Sequence, residues 1–437
     1  MMIGGALQAL EEKTALLRLS AKELLENHRR RTFHMREDGG GLVVAEGEAV
    51  DFTLPVAGSR PRPTGVAAVP GRVFGFDPEM KYLYSMKADK SGYENIYSKT
   101  FEPYRVLHYF NKSGNEEFYC VTSEHVLQLN GNATATVGTN KGGVCAAIFH
   151  DRLFTAKKSR VSYSGPLAMQ NWTEARFGAG YLETVSDEAG EILGMQPYKD
   201  KLYLFRRHGI SCLRALGDEL NFKVVHMPMK CGALVQNSVA PCGENVGYFT
   251  DGGFYLFNGA SSALAEHSRS GEIDFTKPVK AVSHCGRYYA LVTNADGERV
   301  IYCYDPEQRE GHFIVNGAAD VAAGDELYFT RGIYAYRLTK RGIPENFTPY
   351  FTAEKIALGP DGEKMLRAVL IEGEGEFRVS VTSNRGTRTV SGKANEILKF
   401  RSPLRGYGFG LKIGVEPANA VEARFCAVHF RFTEDDE

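Results

Sequence analysis

Hydrophobic positions fall into three successive patterns along the chain. From residue 4 to about 31, Leu7, Leu10, Thr14, Leu17, Ala21 and Leu24 recur at three- and four-residue steps, the spacing of one face of an amphipathic helix. Leu16, Leu19 and Leu25 widen the stripe, and Arg29, Arg30 and Arg31 sit at the negative end of the helix dipole. The spacing predicts an N-terminal helix that either packs on its own domain or docks on a neighbour. Glu37 to Gly41, rich in Gly, ends it.

From about residue 62 to 345 the period shortens. Gly- or Asp-led turns introduce short apolar runs, each followed by a second run after a polar break. Phe118-Tyr119-Cys120 precedes Val126-Leu127, Leu153-Phe154 precedes Val161-Ser162-Tyr163, and Leu202-Tyr203-Leu204 precedes Ile210-Ser211-Cys212-Leu213. The same pairing recurs at Tyr248-Phe249 with Phe254 to Phe257, Tyr288 to Leu291 with Val300 to Tyr302, and Leu327 to Phe329 with Ile333 to Tyr336. Arg72 to Phe76 is a weaker upstream copy. A drifting repeat of about 40 residues with several strands per unit is what a β-propeller blade requires, and six or seven blades fit the span. From about 346 to 433 the repeat stops. Strands such as Met365 to Ile371, Glu376 to Val381, Gly408 to Ile413 and Ala423 to Phe430 alternate instead, as in a β-sandwich of immunoglobulin or jelly-roll type. The expected organisation is all-β: an amphipathic helix (1–35), a six- or seven-bladed β-propeller (36–345) and a C-terminal β-sandwich (346–437) with a short acidic tail.

Composition sharpens the propeller class. There are 26 Phe and 22 Tyr but one Trp, Trp172, so propellers with a patterned Trp in each blade are excluded by sequence signature. The 47 Gly fall largely at the turns. Charge is balanced, 52 Lys and Arg against 53 Asp and Glu, whereas a protein that works mainly by gripping phosphates carries a basic excess or stripe. The candidate DNA-facing basic residues are therefore local: Arg29, Arg30, Arg31, Lys157 and Lys158. Eight Cys without a C-x-x-C read as small buried thiols in a reducing site of synthesis. The first residues lack a basic n-region, so no signal peptide is expected, and no apolar run is long enough to span a membrane.

Chemistry is hard to find. The eleven His are isolated, and His284-Cys285 would point to opposite faces if both lay on a strand. Asp251, Asp296 and Asp361 before Gly read as hairpin turns rather than calcium loops. Asp200, Asp251, Asp305 and Asp325 have the residue type for a glycosidase pair, but their turn positions favour structural roles. No metal, cofactor-binding or catalytic residue is expected.

The segment from His150 to Ala260 resembles a propeller of bacteriophage head–tail and tail proteins. The phrases are Asp151-Arg152-Leu153-Phe154, Val161 to Pro166, Asn171-Trp172-Thr173, Gly190 to Met195, Asp200 to Phe205 and Tyr248 to Gly259. Gly408 to Ile413 and Val421 to Phe432 are similar to the sandwich that follows it in those proteins. The resemblance is to packaged-DNA stabilisation and tail-hub or nozzle proteins. It implies a non-enzymatic virion component at the head–tail interface or in the tail, synthesised in a host cytoplasm. It also implies a homo-oligomeric ring that retains or conducts DNA with at most transient, non-specific contact. Partners would be a portal or adaptor ring and tail components, with Leu7, Leu10, Leu17 and Leu24 as the docking or oligomerisation face. The alternative is a bacterial propeller that binds or hydrolyses a carbohydrate at the channel mouth.

Overall fold

A computed structural model describes the chain outside residues 1–13, 28–29, 34, 39–40, 45–46, 55–63, 78–81, 98–104, 132, 177, 185–187, 228–231, 267–271, 340–348, 360–361, 417–422 and 435–437. The described chain is almost entirely strand and divides into two units. One comprises residues 1–49, 312–314 and 338–437, and the other 50–311 and 315–337.

The expected N-terminal helix is the main correction. Its centre is a strand, β1 (Thr14–Ser20), followed by a short helix, α1 (Ala21–Asn27). β1 pairs antiparallel with the last strand of the chain over its full length, from Thr14↔Thr433 to Ser20↔Ala427. The run Leu16-Leu17-Arg18-Leu19 satisfies both periods, and a seven-residue ladder outweighs helix preferences of under about 1 kcal/mol per residue. Leu17 and Leu19 turn inward against the core of their own unit, Leu24 is fully buried in it, and Leu16 faces outward. Leu17 and Leu24 therefore form no docking face. Leu7 and Leu10 lie outside the described residues. The true helix start carries a capping box: Glu23 N donates to Ser20 Oγ at 3.2 Å, and Ser20 N donates to Glu23 Oε2 at 2.8 Å. Beyond it come β2 (Arg30–Phe33), β3 (Met35–Asp38) and β4 (Gly41–Val44), so the Gly-rich segment lies within the β3–β4 hairpin.

The second unit is a seven-bladed propeller. Blade 1 is β6 (Gly65–Val69), β7 (Arg72–Asp77), β8 (Tyr82–Met86) and β9 (Tyr93–Tyr97). Blade 2 is β10 (Arg105–Phe110), β11 (Glu116–Val121), β12 (Val126–Asn130) and β13 (Ala133–Gly138). Blade 3 is β14 (Cys145–Phe149), β15 (Arg152–Lys157), β16 (Arg160–Tyr163) and β17 (Gly180–Glu183). Blade 4 is β18 (Ile192–Tyr198), β19 (Lys201–Arg206), β20 (Gly209–Arg214) and β21 (Lys223–Met227). Blade 5 is β22 (Ala240–Cys242), β23 (Asn245–Thr250), β24 (Gly253–Phe257) and β25 (Ser262–Glu266). Blade 6 is β26 (Lys280–His284), β27 (Arg287–Thr293), β28 (Arg299–Asp305) and β29 (Glu310–Asn316). Blade 7 has β30 (Asp320–Ala323), β31 (Leu327–Arg331) and β32 (Tyr334–Thr339), and its outermost strand is β5 (Gly47–Thr53), from far upstream.

Each blade runs up and down, with its first strand innermost. The second and third strands are packed on both faces by neighbouring blades and are nearly continuous apolar text, as in β19, where five of six residues are buried. Aromatic side chains make the joints. Phe249 lies 5.8 Å from Tyr288 and 5.2 Å from Tyr302 across blades 5 and 6, and Tyr203 lies 4.8 Å from Phe257 across blades 4 and 5. Gly247 is required at one such joint, because a Cβ there would meet the Phe254 and Tyr288 rings at 2.8 Å. Trp172 plugs the joint of blades 2 and 3 beside Tyr119, Leu153 and Met169. Closure at blade 7 is fixed by Phe52, packed edge-on to Tyr328, and by Lys90 of blade 1, which bonds Asp51 and Tyr328 Oη and lies over both rings.

The first unit is a two-sheet sandwich. Its remaining strands are β33 (Tyr350–Ile356), β34 (Lys364–Glu374), β35 (Glu376–Ser383), β36 (Gly386–Lys393), β37 (Ile397–Gly406), β38 (Phe409–Val415) and β39 (Arg424–Glu434). One sheet has the order β3-β4-β39-β34-β37, with β1 also on β39, and the other has β2-β33-β38-β35-β36. Phe351, Val379, Leu411 and Ile413 from one sheet meet Leu366, Val369, Phe430 and Phe432 from the other in a dry core.

Candidate functional site

Antiparallel blades place their turns on two opposite faces of the propeller. The turns between second and third strands share one face with the connections between blades; the remaining turns occupy the other. The first strands line the central channel, and the charges there are engaged. Lys280 Nζ donates to Asp320 Oδ1 at 2.7 Å and to the Val66 carbonyl at 3.1 Å, while Asp320 Oδ2 accepts from Val66 N at 2.8 Å. This network ties the innermost strands of blades 6, 7 and 1. Arg105 of blade 2 donates to the Ala146 carbonyl of blade 3 at 3.1 Å. Its side chain keeps accessible surface, yet crowding protein lowers its pKa by desolvation, the combination expected of a group in a narrow channel.

The four acidic candidates fall in four different blades. Asp251 sits on the face with the inter-blade connections and accepts from Ala233 N at 2.8 Å. Asp200, Asp305 and Asp325 lie toward the other face, in blades 4, 6 and 7. Asp305 is buried against Arg287 at 2.9 Å and accepts from Glu307 N, and Asp325 accepts from Gly71 N of blade 1 at 2.8 Å. Asp251, Asp305 and Asp325 thus serve as turn and blade ties. Among the described residues, the carboxylates with shifted pKa values, Glu23, Asp89, Glu174, Asp274 and Glu372, are all lowered, each chiefly by hydrogen bonds donated to the carboxylate. That is the direction of a stabilised anion, opposite to a general acid.

His284 and Cys285 are closer than strand geometry allows, with Sγ 3.2 Å from Nε2. Cys285 is not on the strand: it occupies the turn with Gly286, both at positive φ (48° and 77°), which swings the thiol back toward the imidazole. Among the described residues no group of three or more His, Cys, Asp or Glu is placed to hold a metal, and no helix is long and apolar enough to cross a membrane.

Of the basic candidates, Lys157 and Lys158 are exposed at the turn between the middle strands of blade 3. The Lys158 carbonyl accepts from Ile192 N at 2.9 Å, which ties that turn to blade 4. Arg30 and Arg31 lie on β2 opposite Ala353 and Thr352, and Arg29 lies outside the described residues. A charge concentration that no run in the sequence marks lies on the outer face of the β1-β39-β34-β37 layer, at Arg367, Lys399 and Arg431, with Arg401 exposed in the register break that follows Lys399. Large apolar residues are exposed in five blades: Phe110 in blade 2, Leu167 and Tyr181 in blade 3, Leu216, Leu220 and Val225 in blade 4, Leu264 in blade 5, and Val50 and Tyr334 in blade 7, with Leu216 and Leu220 the most exposed at 70% and 71%.

No family model and no curated relative matches the sequence. Solved structures do match in shape. The RRP9 WD40 repeats are 8% identical with a TM-score of 0.43, covering 68% of this chain and 99% of that one. The Neurospora crassa Pan2 WD40 domain is 9% identical at 0.41, covering 69% and 96%. The extracellular domain of a putative one component system, BT4673 from B. thetaiotaomicron, is 10% identical at 0.45, covering 88% of this chain and 60% of that one. Lacking a Trp in each blade, this chain is a β-propeller similar in shape to WD40 domains without their sequence signature.

Proposed function

We propose that the protein is a non-enzymatic structural component of a tailed-phage or prophage virion, forming a ring in the head–tail connector or tail that retains or conducts DNA. The sequence phrases from His150 to Gly259 motivate the virion assignment. The observation that carries the ring is the strong exposure of apolar side chains in blade 4. Leu216 and Leu220 project from the connection between the outer strands of blade 4, beside the exposed Val225. Blade 4 carries three exposed large apolar side chains, more than any other blade, and apolar surface of that kind favours an association surface. A ring needs a heterologous contact repeated around an axis, which such a rim can supply to a complementary patch on the next copy. The engaged channel charges fit a conduit that does not grip DNA.

Mass photometry across a concentration series tests this. The expected result is a closed oligomer that the double variant Leu216→Glu, Leu220→Glu reduces to protomers while its melting curve stays close to the parent. A strict monomer at every concentration, with no binding to a portal ring, would sink the reading.

A further inference from the structure

We infer that the outer face of the β1-β39-β34-β37 layer of the sandwich is a binding surface for the phosphate backbone of duplex nucleic acid. The register assembles it from distant parts of the chain. Leu16 is opposite Arg431, Arg431 opposite Ala368, and Ala368 opposite Lys399. Cross-strand partners share a face, so Arg431 and Lys399 project from one side of the sheet, two strands or about 10 Å apart. Arg401 follows two residues later, exposed, in the irregular stretch where the pairing of β37 jumps from Lys399 to Leu404. Arg367, in the bulge between Leu366 and Ala368, joins them and donates from Nε to Thr433 Oγ1 at 3.4 Å.

Arg367, Lys399, Arg401 and Arg431 are all exposed, and among the described residues none has a carboxylate within ion-pair distance. The opposite end of the same face is electrically closed. There Glu372 accepts from Arg18 at 3.0 Å and contacts His429 at 3.2 Å. One sheet thus carries a neutralised end and an end of four unpaired cations, in a chain whose formal net charge is −1. Unpaired like charges side by side repel, so the arrangement is stabilised by an anion that spans them.

The shape selects the anion. The face is a sheet surface on which Ala368 lies between Arg431 and Lys399, and Leu370 and Ile397 separate the cations from the Glu372 end. A small anion would reach one or two of these groups. A duplex offers phosphates densely and in both directions, so each cation finds one without a matched register. An acidic protein would need carboxylates placed to fit four fixed positions. Three of the four cations are Arg, whose fork grips phosphate oxygens two at a time. The contact reads no base edge, so it is indifferent to sequence. The inference does not depend on ring formation and is tested on the protomer.

The test is fluorescence anisotropy of a labelled duplex against the full chain over a salt series. The parent is expected to bind two unrelated sequences equally, with affinity falling steeply as salt rises. The variant Arg367→Gln, Lys399→Gln, Arg431→Gln should lose at least about tenfold at low salt and reduce the log–log salt slope by about 2–3. Arg431→Gln alone should reduce the slope by about 1, which keeps the test decisive if the triple variant misfolds. Replacing Arg367 and Arg431 by Lys should restore most of the binding. Three results overturn the inference: no duplex binding at low salt, an unchanged triple variant, or binding lost instead in Lys157→Gln, Lys158→Gln. Stronger competition by a poly-glutamate peptide than by unlabelled duplex at equal charge also overturns it, in favour of an acidic protein partner.

Discussion

The two units treat charge in opposite ways. In the propeller, the described charges of the channel and blade joints hold architecture together: Lys280 and Asp320 stitch three blades, Asp305 holds Arg287, and Lys90 locks the closing strand. In the sandwich the core is held by aliphatic and Phe side chains from two alternating sheets, and four exposed cations have no carboxylate partner among the described residues. A propeller blade is covered on both faces, so a charge near its joints must find a partner or lose hydration. A sandwich sheet has a wet side where charge costs little. The two proposals divide accordingly: the phosphate-binding one rests on the sandwich, the ring-forming one on the propeller rim.

The sharpest test of that division is thermal. Each unit has its own core, so calorimetry should resolve two transitions, each answering to its own substitutions. Phe249→Ala, which removes a ring shared by blades 5 and 6, should destabilise the propeller transition by about 3–5 kcal/mol and leave the other in place. Phe430→Ala should do the reverse with similar size. A single transition shifted by both would break the comparison. Next in size, Asp320→Ala strands Lys280 and the Val66 amide and should cost about 1–3 kcal/mol in the propeller transition only.

The smallest effect is a pH dependence in the sandwich. Arg18 first, then His429, hold the Glu372 carboxyl below its ordinary 4.5. A depressed carboxyl stabilises the fold in full above its unfolded value, and that contribution disappears as pH falls through the lower folded value. Melting curves of Glu372→Gln and the parent should therefore differ at pH 7 and converge in the acid range below about 4.5. A gap that widens with acid would contradict the Arg18–Glu372–His429 cluster as drawn.

Much of the propeller was legible because its second and third strands are buried on both faces and read as continuous apolar runs. The recurring pairs, such as Leu202 to Leu204 with Ile210 to Leu213, are those two strands of each blade. First and fourth strands were not legible. β22 is three residues long, β17 is Gly-Tyr-Leu-Glu, and the fourth strand of blade 7 comes from residues 47–53. Local text carries no sign of a partner so remote. The N-terminal segment was misread because Leu16 to Leu19 fits two periods. The pair Ser20 and Glu23, three residues apart, is the sequence signal that marks the true helix start. Carbohydrate chemistry at Asp200, Asp251, Asp305 and Asp325 found no support in the contacts made by the last three. The basic face was hidden because its members are spread over β34, β37 and β39. Only the alternation in Leu398-Lys399-Phe400-Arg401 and Phe430-Arg431-Phe432 hints at it.

Both units are completed by pairings between early and late parts of the chain, and this sets a clock. β1 meets its partner only when Thr433 and its neighbours have been made. At ribosomal rates of about 5–20 residues per second, it waits roughly 20–80 s with its backbone edge unsatisfied. β5 waits for β32 through nearly all of the propeller's synthesis. The strand Thr14–Ser20, with its three leucines, is thus a liability of the nascent chain rather than of the finished protein. Slowing translation should raise aggregation more than destabilising either core does.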